Sequence, residues 1–454
     1  MTPIGRTGHR DALRTLLVVL LVGAVAFGAN LVIALTVRDV SLFDEGVHFD
    51  YVVKLHDGIW PDTAAQVSPQ TIHELGCRGA VWLPDASCGD LTRAQVPNHA
   101  ANYVLSYPPT FYAYASAVGW ALAPFGISLF EAGRIAGVLL FAVGTALMAW
   151  GLIRLGVSRW MAAAASTFMV LLTLGYRLGS TVSPDSAFPL VGAATLLVLT
   201  IPGRWRTRLA IATAIGVAIA VTKPSFVPSA CLVALVAALG APIIERGTLR
   251  RWWDLGRRRW IASAVAVVVP VIVAIAWQLF RLTQLAPGET EADGGLNRQL
   301  LYTSKGLPQV IVDGLIDMSN PFGNPLIPHV STYWAPVFLV ANAVFFCGVG
   351  LVAVWYGRSL PIAARVLGLA GVIGYVATAA YTAGTMWISF HSEGVQPRYT
   401  MPLTPIFIAA IAVAVIPVFR RRWMAIAFSV VSAVLVIGLL ADAVGVRSLL
   451  STAG

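Results

Sequence analysis

The amino-acid sequence predicts an all-α integral membrane protein, and three observations support this fold class. The chain has 454 residues, of which 57% are hydrophobic and only 11% are charged. Soluble domains carry about 25% charged residues, so a chain this poor in charge needs lipid as its main solvent. Apolar runs of about 20 residues, the length that spans a bilayer as a helix, recur along the chain. Arginines cluster in short segments between these runs.

Eleven apolar segments are predicted to be transmembrane helices. The first run is longer than the apolar region of about 7–15 residues in a cleavable secretory signal, so we expect it to persist as a helix. No separate soluble domain is evident, and residues 1–454 are expected to form one membrane-embedded domain. The predicted spans are residues 13–37, 130–153, 160–178, 184–201, 207–222, 226–244, 260–281, 333–356, 361–383, 399–418 and 423–444.

Charge decides the topology, including the role of a further apolar segment at residues 107–125. Lys and Arg favour the cytoplasmic side. With eleven spans, most of the 31 basic residues fall on one side together with the N-terminus. If 107–125 also crossed the membrane, the arginine cluster within residues 246–259 would face outward. We therefore predict a multi-pass protein of the plasma (inner) membrane with a cytoplasmic N-terminus, and an interfacial position for 107–125.

This topology also explains the net charge of +10 without nucleic acid as a partner. The extracytoplasmic side receives two long loops, 38–128 with juxtamembrane helices and 282–332, and the transmembrane helices lie within 130–281 and 333–444. A site is expected where the chain has room to shape one, which is this outer side. Cys77 and Cys88 lie in the first loop and form either a disulfide or two unrelated thiols.

Asp44, Glu45 and His48 open a short amphipathic helix directly after the first span. Their spacing allows all three side chains to share one helical face. In the simplest interpretation Asp44 caps the helix and His48 lies on the surface. Acidic residues near the bilayer are costly to desolvate, however, and often mark functional sites.

Other polar residues occur at predicted outer ends of helices. Asp185 is either a helix cap or a site residue, and Lys223 either extends its ammonium to the interface or binds a ligand. Arg177 has the same two interpretations. The guanidinium of Arg398, beside Tyr399, either anchors the chain at the interface or holds a phosphate with two hydrogen bonds.

The paired acid after the first helix resembles the acidic motif of the GT-C superfamily of glycosyltransferases. More closely, Asp44-Glu45-x-x-His48-Phe49 is similar to a bacterial branch of predicted GT-C membrane proteins. That branch also carries Tyr-Pro-Pro-x-x-Tyr and Gln-Gly-Arg-Tyr-x-x-Pro elements. Residues 107–112 match the first of these, and residues 396–402 match the second except that Pro397 replaces the glycine.

The resemblance implies a glycosyltransferase that moves a sugar from a polyprenyl-phosphate donor to a glycan, glycolipid or protein acceptor. Such a donor suits the outer side because nucleotide sugars are made in the cytosol. Asp44 and Glu45 are expected to be catalytic, with Asp44 as general base. A divalent cation (Mg, Mn or Ca) held by Asp44, Glu45 and His48 is left open. The residues expected to bind substrate or phosphate are Arg398, Lys223, His48, Tyr399, Gln396, Asp185, Arg177 and Tyr107.

Three alternatives remain at the level of the sequence. A flippase or transporter of lipid-linked sugars would need polar groups near the bilayer midplane, and a ligase or polymerase of preassembled glycans would need its own Arg and His cluster. A non-catalytic assembly or sensor protein would make the acidic motif fortuitous. The Arg-rich, Lys-poor composition is typical of GC-rich genomes. It suggests an envelope in which decaprenyl phosphate carries arabinofuranose or mannose, but the sequence does not determine the sugar.

Overall fold

The computed structural model describes the chain in ranges separated by gaps, and its regular elements are helices. The described residues are 9–41, 44–60, 66–79, 88, 91–96, 100, 102–171, 178–201, 204–246, 257–284, 308, 362–390, 397–414 and 430. The α-helices in these ranges are α1 (His9–Thr36), α2 (Glu45–His56), α3 (Pro69–Arg78), α4 (Thr110–Leu122), α5 (Leu129–Arg154), α6 (Arg159–Leu171), α7 (Phe188–Thr200), α8 (Trp205–Ala220), α9 (Val227–Arg246), α10 (Arg257–Leu282), α11 (Ile362–Phe390) and α12 (Thr404–Ala414). Short 3₁₀ helices include Tyr103–Ser106, Pro184–Ala187, Pro224–Phe226 and Pro397–Leu403.

Four helices in the described part are long and apolar enough to cross a membrane: Asp11–Thr36, Leu129–Arg154, Ile261–Arg281 and Ala363–Tyr381. Each coincides with a predicted span, which confirms the all-α membrane prediction. Shorter apolar helices cover Pro184–Thr200, Pro224–Ala237 and Tyr399–Ala414. Apart from residue 430, the predicted spans 333–356 and 423–444 lie outside the described residues, so the total of eleven stays a prediction.

The main apolar core forms where α1, α5, α6, α7 and α12 pack together. Phe141 of α5 and Phe188 of α7 meet edge to face within it, with ring centroids 5.5 Å apart. Gly144 of α5 faces the backbone of Leu190, where a β-carbon would overlap it. Small residues at such crossings let membrane helices approach closely.

A second core lies under the juxtamembrane helices α2, α3 and α4. It contains Phe49 and Tyr51 from α2, Phe111 and Tyr112 from α4, and Phe130 from α5. At 13 residues, α4 is about 20 Å long, well short of the roughly 30 Å hydrocarbon layer. This length agrees with the interfacial position expected for residues 107–125.

Opposite ends of α1 contact different charged groups. Near its start, Asp11 pairs with Arg159 at 2.9 Å. Just beyond its other end, the carbonyl of Val37 accepts a hydrogen bond from Arg134. The helix has 28 residues, about 42 Å of length. The acidic loop that follows α1 is therefore far from the basic turn between α5 and α6.

Candidate functional site

Asp44 occupies a strained turn immediately before α2. Its φ angle is 60°, in the left-handed region, and its side chain makes no capping hydrogen bond to the helix. Among non-glycine residues, Asp and Asn are the ones that occasionally adopt this conformation. Asp44 is therefore the N-cap residue of α2 by position, as in the simplest interpretation from the sequence, but its carboxylate does not cap the helix.

Glu45, the next residue, is completely buried and ion-paired with Arg134. Arg134 Nε donates to Glu45 Oε1 at 2.8 Å, and Nη2 donates to Oε2 at 2.9 Å. The backbone amide of Ser41 donates to Oε2 at 2.7 Å, and that of Val182 to Oε1 at 3.0 Å. With both oxygens engaged by fixed donors, Glu45 is poorly suited to the proton transfer or metal binding expected from the sequence. We revise its role to a positioning one.

His48 lies in a buried aromatic stack rather than on the surface. Its Nδ1 is hydrogen-bonded to the Tyr112 hydroxyl at 2.8 Å. Tyr112 stacks on Tyr51 with ring centroids 4.0 Å apart, and the Tyr51 hydroxyl donates to the Tyr107 carbonyl at 3.2 Å. The stack therefore joins the two motif segments, 44–49 and 107–112.

Burial also changes the acidity of these phenols. Desolvation raises the pKa of Tyr51 to about 12 despite the opposing charge of Arg281. Desolvation likewise raises the pKa of Tyr112 well above its usual value, with smaller contributions from neighbouring tyrosines, Asp185 and Asp44. Both carboxylates therefore lie within electrostatic reach of the Tyr112 hydroxyl.

Asp185 and Lys223 form a second buried ion pair. Lys223 Nζ lies 2.5 Å from Asp185 Oδ1, and both side chains are 1% exposed. Ser183, not Asp185, provides the cap of the short helix Pro184–Ala187, because its hydroxyl accepts from the Asp185 amide at 3.2 Å. The interfacial orientation considered for Lys223 is therefore wrong, since its ammonium is buried against Asp185.

Aromatic rings surround the Lys223 ammonium. Nζ lies 5.9 Å from the ring centre of Tyr107 and 5.5 Å from that of Tyr399. Phe226 completes the group at 5.9 Å. These distances fall within the range of cation–π attraction. Lys223 thus lies close to both Tyr107 and Tyr399, which belong to two different predicted motifs.

Three predicted site residues are not placed by the structure. Arg398 belongs to the 3₁₀ helix Pro397–Leu403 next to Tyr399, but its side chain lies outside the described residues. Gln396 and Arg177 also lie outside them. Their roles stay predictions from the sequence.

Two arginines of the site were missed by the sequence reasoning. Arg134 is 1% exposed and Arg281 is fully buried. Arg134 lies in the first turns of α5 and Arg281 in the last turn of α10. Ionisable residues within apolar spans are rare and usually functional, and this signal would have identified both.

The divalent cation left open by the sequence does not fit the described side chains. The one described group of three His, Cys, Asp or Glu residues whose ligand atoms converge is His73, Cys77 and Cys88. Cys77 and Cys88 are joined by a disulfide, which removes both thiolates as ligands. The oxygens of Glu45 are already engaged by Arg134 and backbone amides. A metal held by Asp44, Glu45 and His48 is therefore not supported.

Comparison with solved structures gives a remote structural neighbour. No protein-family model and no curated protein matches the chain. The chain is similar to ArnT from Cupriavidus metallidurans, solved with bound undecaprenyl phosphate, with a TM-score of 0.47 and 16% identity. The match covers 93% of this chain but 64% of that one, so the chain spans less than two thirds of ArnT. A TM-score this low supports no conclusion about activity, which has to come from the site residues.

Proposed function

We propose that the chain is a GT-C-type glycosyltransferase that moves a single sugar from a polyprenyl-phosphate donor to an envelope glycan, lipid or protein acceptor. The observation that carries this proposal is the convergence of the motif residues. His48 contacts Tyr112, while Lys223 lies against Tyr107, Tyr399 and Asp185. Segments widely separated in the sequence thus combine acidic, basic and aromatic groups in one place.

Asp44 is the proposed general base. It removes the proton from the acceptor hydroxyl as that oxygen attacks the anomeric carbon of the donor sugar. The bond between the anomeric carbon and the phosphate oxygen breaks, and its electron pair leaves with the polyprenyl phosphate. A positioned base of this kind typically contributes about 10²- to 10⁴-fold to the rate. Asp44 is half-buried, whereas Glu45 is fully buried.

Lys223 and Arg398 are the proposed phosphate-binding residues. An ammonium group has three N–H donors, and Asp185 holds Lys223 in place by accepting one of them at 2.5 Å. Positive charge at this position favours the leaving phosphate in the transition state. Arg398 extends the same basic group in this proposal because its neighbour Tyr399 packs near Lys223. Arg177 and Gln396 retain the substrate-binding role predicted from the sequence.

Tyr107 is the aromatic residue best suited to stack on a sugar ring. Phe111 and Tyr112 are almost completely buried, whereas Tyr107 is half-buried at the edge of the same cluster. The position of its ring near Lys223 suits a sugar attached directly to a phosphate. His48 supports this edge through the Tyr112 hydroxyl, and we assign it a positioning role.

The site is proposed to face the extracytoplasmic side. The pairing of Asp11 with Arg159 at one end of α1 and the acidic loop at the other agree with the charge distribution in the sequence. A single cysteine introduced at position 252 tests this orientation. Labelling from the cytoplasmic side by an impermeant thiol reagent is expected, and labelling from outside would reverse the assigned topology.

Transfer by purified protein in liposomes tests the reaction. The liposomes would contain one radiolabelled polyprenyl-phosphate sugar at a time, with arabinofuranose and mannose donors first and an envelope extract as acceptor. We expect at least one donor to give labelled acceptor together with released polyprenyl phosphate. Translocation of a fluorescent lipid-linked sugar without any transfer would instead favour a flippase. No transfer from any donor would contradict the proposed class.

A further inference from the structure

We propose that the Glu45–Arg134 ion pair is a clasp that fixes the position of Asp44 relative to the Asp185–Lys223 pair. Glu45 and Arg134 are then positioning residues that act through Asp44, not groups that touch substrate. The consequence for catalysis rests on the proposed function, whereas the geometric claim does not. Both partners are almost completely buried, so the clasp is shielded from water.

Arg134 uses every donor of its guanidinium in this clasp. Nε and one N–H of Nη2 bind Glu45, at 2.8 and 2.9 Å. The second N–H of Nη2 donates to the Asp39 carbonyl at 2.8 Å. Nη1 donates to the carbonyls of Ala34, at 3.2 Å, and Val37. Because a guanidinium has five N–H donors in a rigid fork, a lysine cannot reproduce this set.

Glu45 connects the clasp to both halves of the site. Its neighbour Asp44 has a left-handed φ of 60°, a conformation that persists only when surrounding contacts hold it. Oε2 closes this turn by accepting from the Ser41 amide, and Oε1 accepts from the Val182 amide. Val182 directly precedes Ser183, whose hydroxyl caps Asp185. One carboxylate therefore links the turn of Asp44 to the turn of Asp185.

The packing of α5 agrees with this arrangement. A β-carbon at Gly137, one turn beyond Arg134, would lie 2.7 Å from the Thr181 carbonyl oxygen, and one at Gly133 would lie 3.0 Å from the Val182 side chain. The segment before Asp185 is thus pressed against the helix that carries the clasp. Close packing of this kind transmits small displacements, so loss of the ion pair should shift Asp44 and Asp185 relative to each other.

The Asp50–Lys54 pair provides a matched control in the same helix. Asp50 is also fully buried and ion-paired, and it accepts hydrogen bonds from the Ser68 amide and from Asn102. These contacts hold α2 to the outer loop and involve neither the turn of Asp44 nor Val182. Asp50→Asn therefore removes one buried carboxylate of α2 without opening the proposed clasp.

Hydrogen exchange of the purified full-length protein tests the geometry. Glu45→Gln removes the charge and directs an amide NH₂ at the Ser41 or Val182 N–H. We expect exchange in peptides covering residues 44–48 and 181–187 to rise together by about tenfold or more, while Asp50→Asn raises exchange around residues 66–71 instead. Arg134→Lys should reproduce the Glu45→Gln pattern and serves as second variant if Glu45→Gln does not fold. The clasp is refuted if exchange rises in only one of these two segments. It is also refuted if Asp50→Asn raises exchange in both segments as much as Glu45→Gln does.

A double-mutant cycle tests the effect on catalysis. Displacement of a catalytic group by about 1 Å can cost about 100-fold, so Glu45→Gln is expected to lower kcat by about that factor with little change in donor KM. In an Asp44→Asn background the same substitution should have almost no further effect, because the residue it positions is gone. Equal losses in both backgrounds would make Glu45 a merely structural residue and refute the positioning role. If the wild type transfers nothing, the proposed function fails, and the exchange result alone decides the clasp.

Discussion

The two buried ion pairs of the site have similar burial but different surroundings. Glu45 and Arg134 are enclosed by backbone groups, and every guanidinium donor is directed at a fixed acceptor. Asp185 and Lys223 are as deeply buried, but the ammonium lies among the rings of Tyr107, Tyr399 and Phe226. Two equally buried ion pairs can therefore differ in what surrounds them: backbone groups in one, aromatic rings in the other.

The difference indicates which pair is available for chemistry. A pair whose partners are all backbone groups fixes the chain, and exchanging one partner for a ligand would leave several buried donors without acceptors. A pair bordered by aromatic rings can admit a phosphate or a sugar beside the cation at a smaller cost. We therefore propose that Asp185–Lys223 binds substrate and that Glu45–Arg134 has a positioning role, and the predictions below test this division.

Removal of the Lys223 ammonium should have the largest effect. Lys223→Met removes one partner of a buried ion pair, which typically destabilises a protein by about 3–5 kcal/mol. The double variant Lys223→Met, Asp185→Asn should regain most of this stability, because the buried carboxylate charge is gone as well. Transfer should stay low in both variants. Thermal unfolding in detergent and initial transfer rates measure the two effects, and recovered activity in the double variant would place phosphate binding elsewhere.

Loss of the disulfide should lower the stability of the protein without changing either buried ion pair. Cys77 and Cys88 are separated by 11 residues, and closure of a loop of this size is worth about 2–3 kcal/mol. The variant Cys77→Ser, Cys88→Ser should therefore unfold at lower temperature. Its kcat at a permissive temperature should match the wild type, since no contact of either ion pair involves these residues. A large fall in kcat would show that the outer loop shapes the site.

A methyl group added at Gly137 should push the segment that precedes Asp185 away from α5, the helix that carries Arg134. The new β-carbon would lie 2.7 Å from the Thr181 carbonyl, and overpacking of this kind costs about 1–3 kcal/mol. Gly137→Ala is expected to lower both thermal stability and kcat. The matched control is Gly28→Ala in α1, where a β-carbon would meet no atom within 4 Å apart from the helix's own nearby backbone, so stability there should be equal or slightly higher. Equal behaviour of the two variants would contradict tight packing at residue 181.

The buried phenols predict the smallest effect, confined to alkaline pH. The pKa of Tyr51 is raised to about 12, so the folded protein retains a proton that the unfolded chain loses near pH 10. The contribution of Tyr51 to the free energy of unfolding is therefore fully present below pH 10 and is lost as the pH rises toward 12. Phe at this position cannot ionise. Between pH 9 and pH 11, the free energy of unfolding of Tyr51→Phe should therefore fall by about 1 kcal/mol less than that of the wild type. If the free energies of unfolding of the two proteins changed equally over this pH range, Tyr51 would not be desolvated in the folded state.

Much of the fold could be predicted from the sequence because apolar runs and bilayer thickness determine it together. The predicted spans 13–37 and 130–153 differ by only a few residues from His9–Thr36 and Leu129–Arg154. The site was less predictable. Asp44 and Glu45 are adjacent and chemically alike, but their roles differ because Arg134, far away in the sequence, engages only one of them. Partner choice of this kind depends on tertiary packing, which a single sequence does not encode in any local pattern.

The same limit applies to Asp185 and Lys223. Each was predicted as a site residue, yet their pairing follows from the way α5, α7 and α9 bring two turns together. The motifs also supplied Tyr107 and Tyr399 as candidate substrate-binding residues, and the structure brings both rings within 6 Å of Lys223 Nζ. Local sequence thus supplied the candidates, and packing determined their partners.

The central claim, that the acidic turn after α1 carries out sugar transfer, is tested most directly by a matched pair of carboxylate substitutions at the two ends of α2. Asp44 precedes the helix, and Asp57 follows it as an exposed residue. Release of polyprenyl phosphate from a defined lipid-linked sugar would be measured for Asp44→Asn and Asp57→Asn in liposomes. We expect Asp57→Asn to retain the wild-type rate and Asp44→Asn to lose about 10²- to 10⁴-fold. Equal rates in the two variants would contradict Asp44 as the general base.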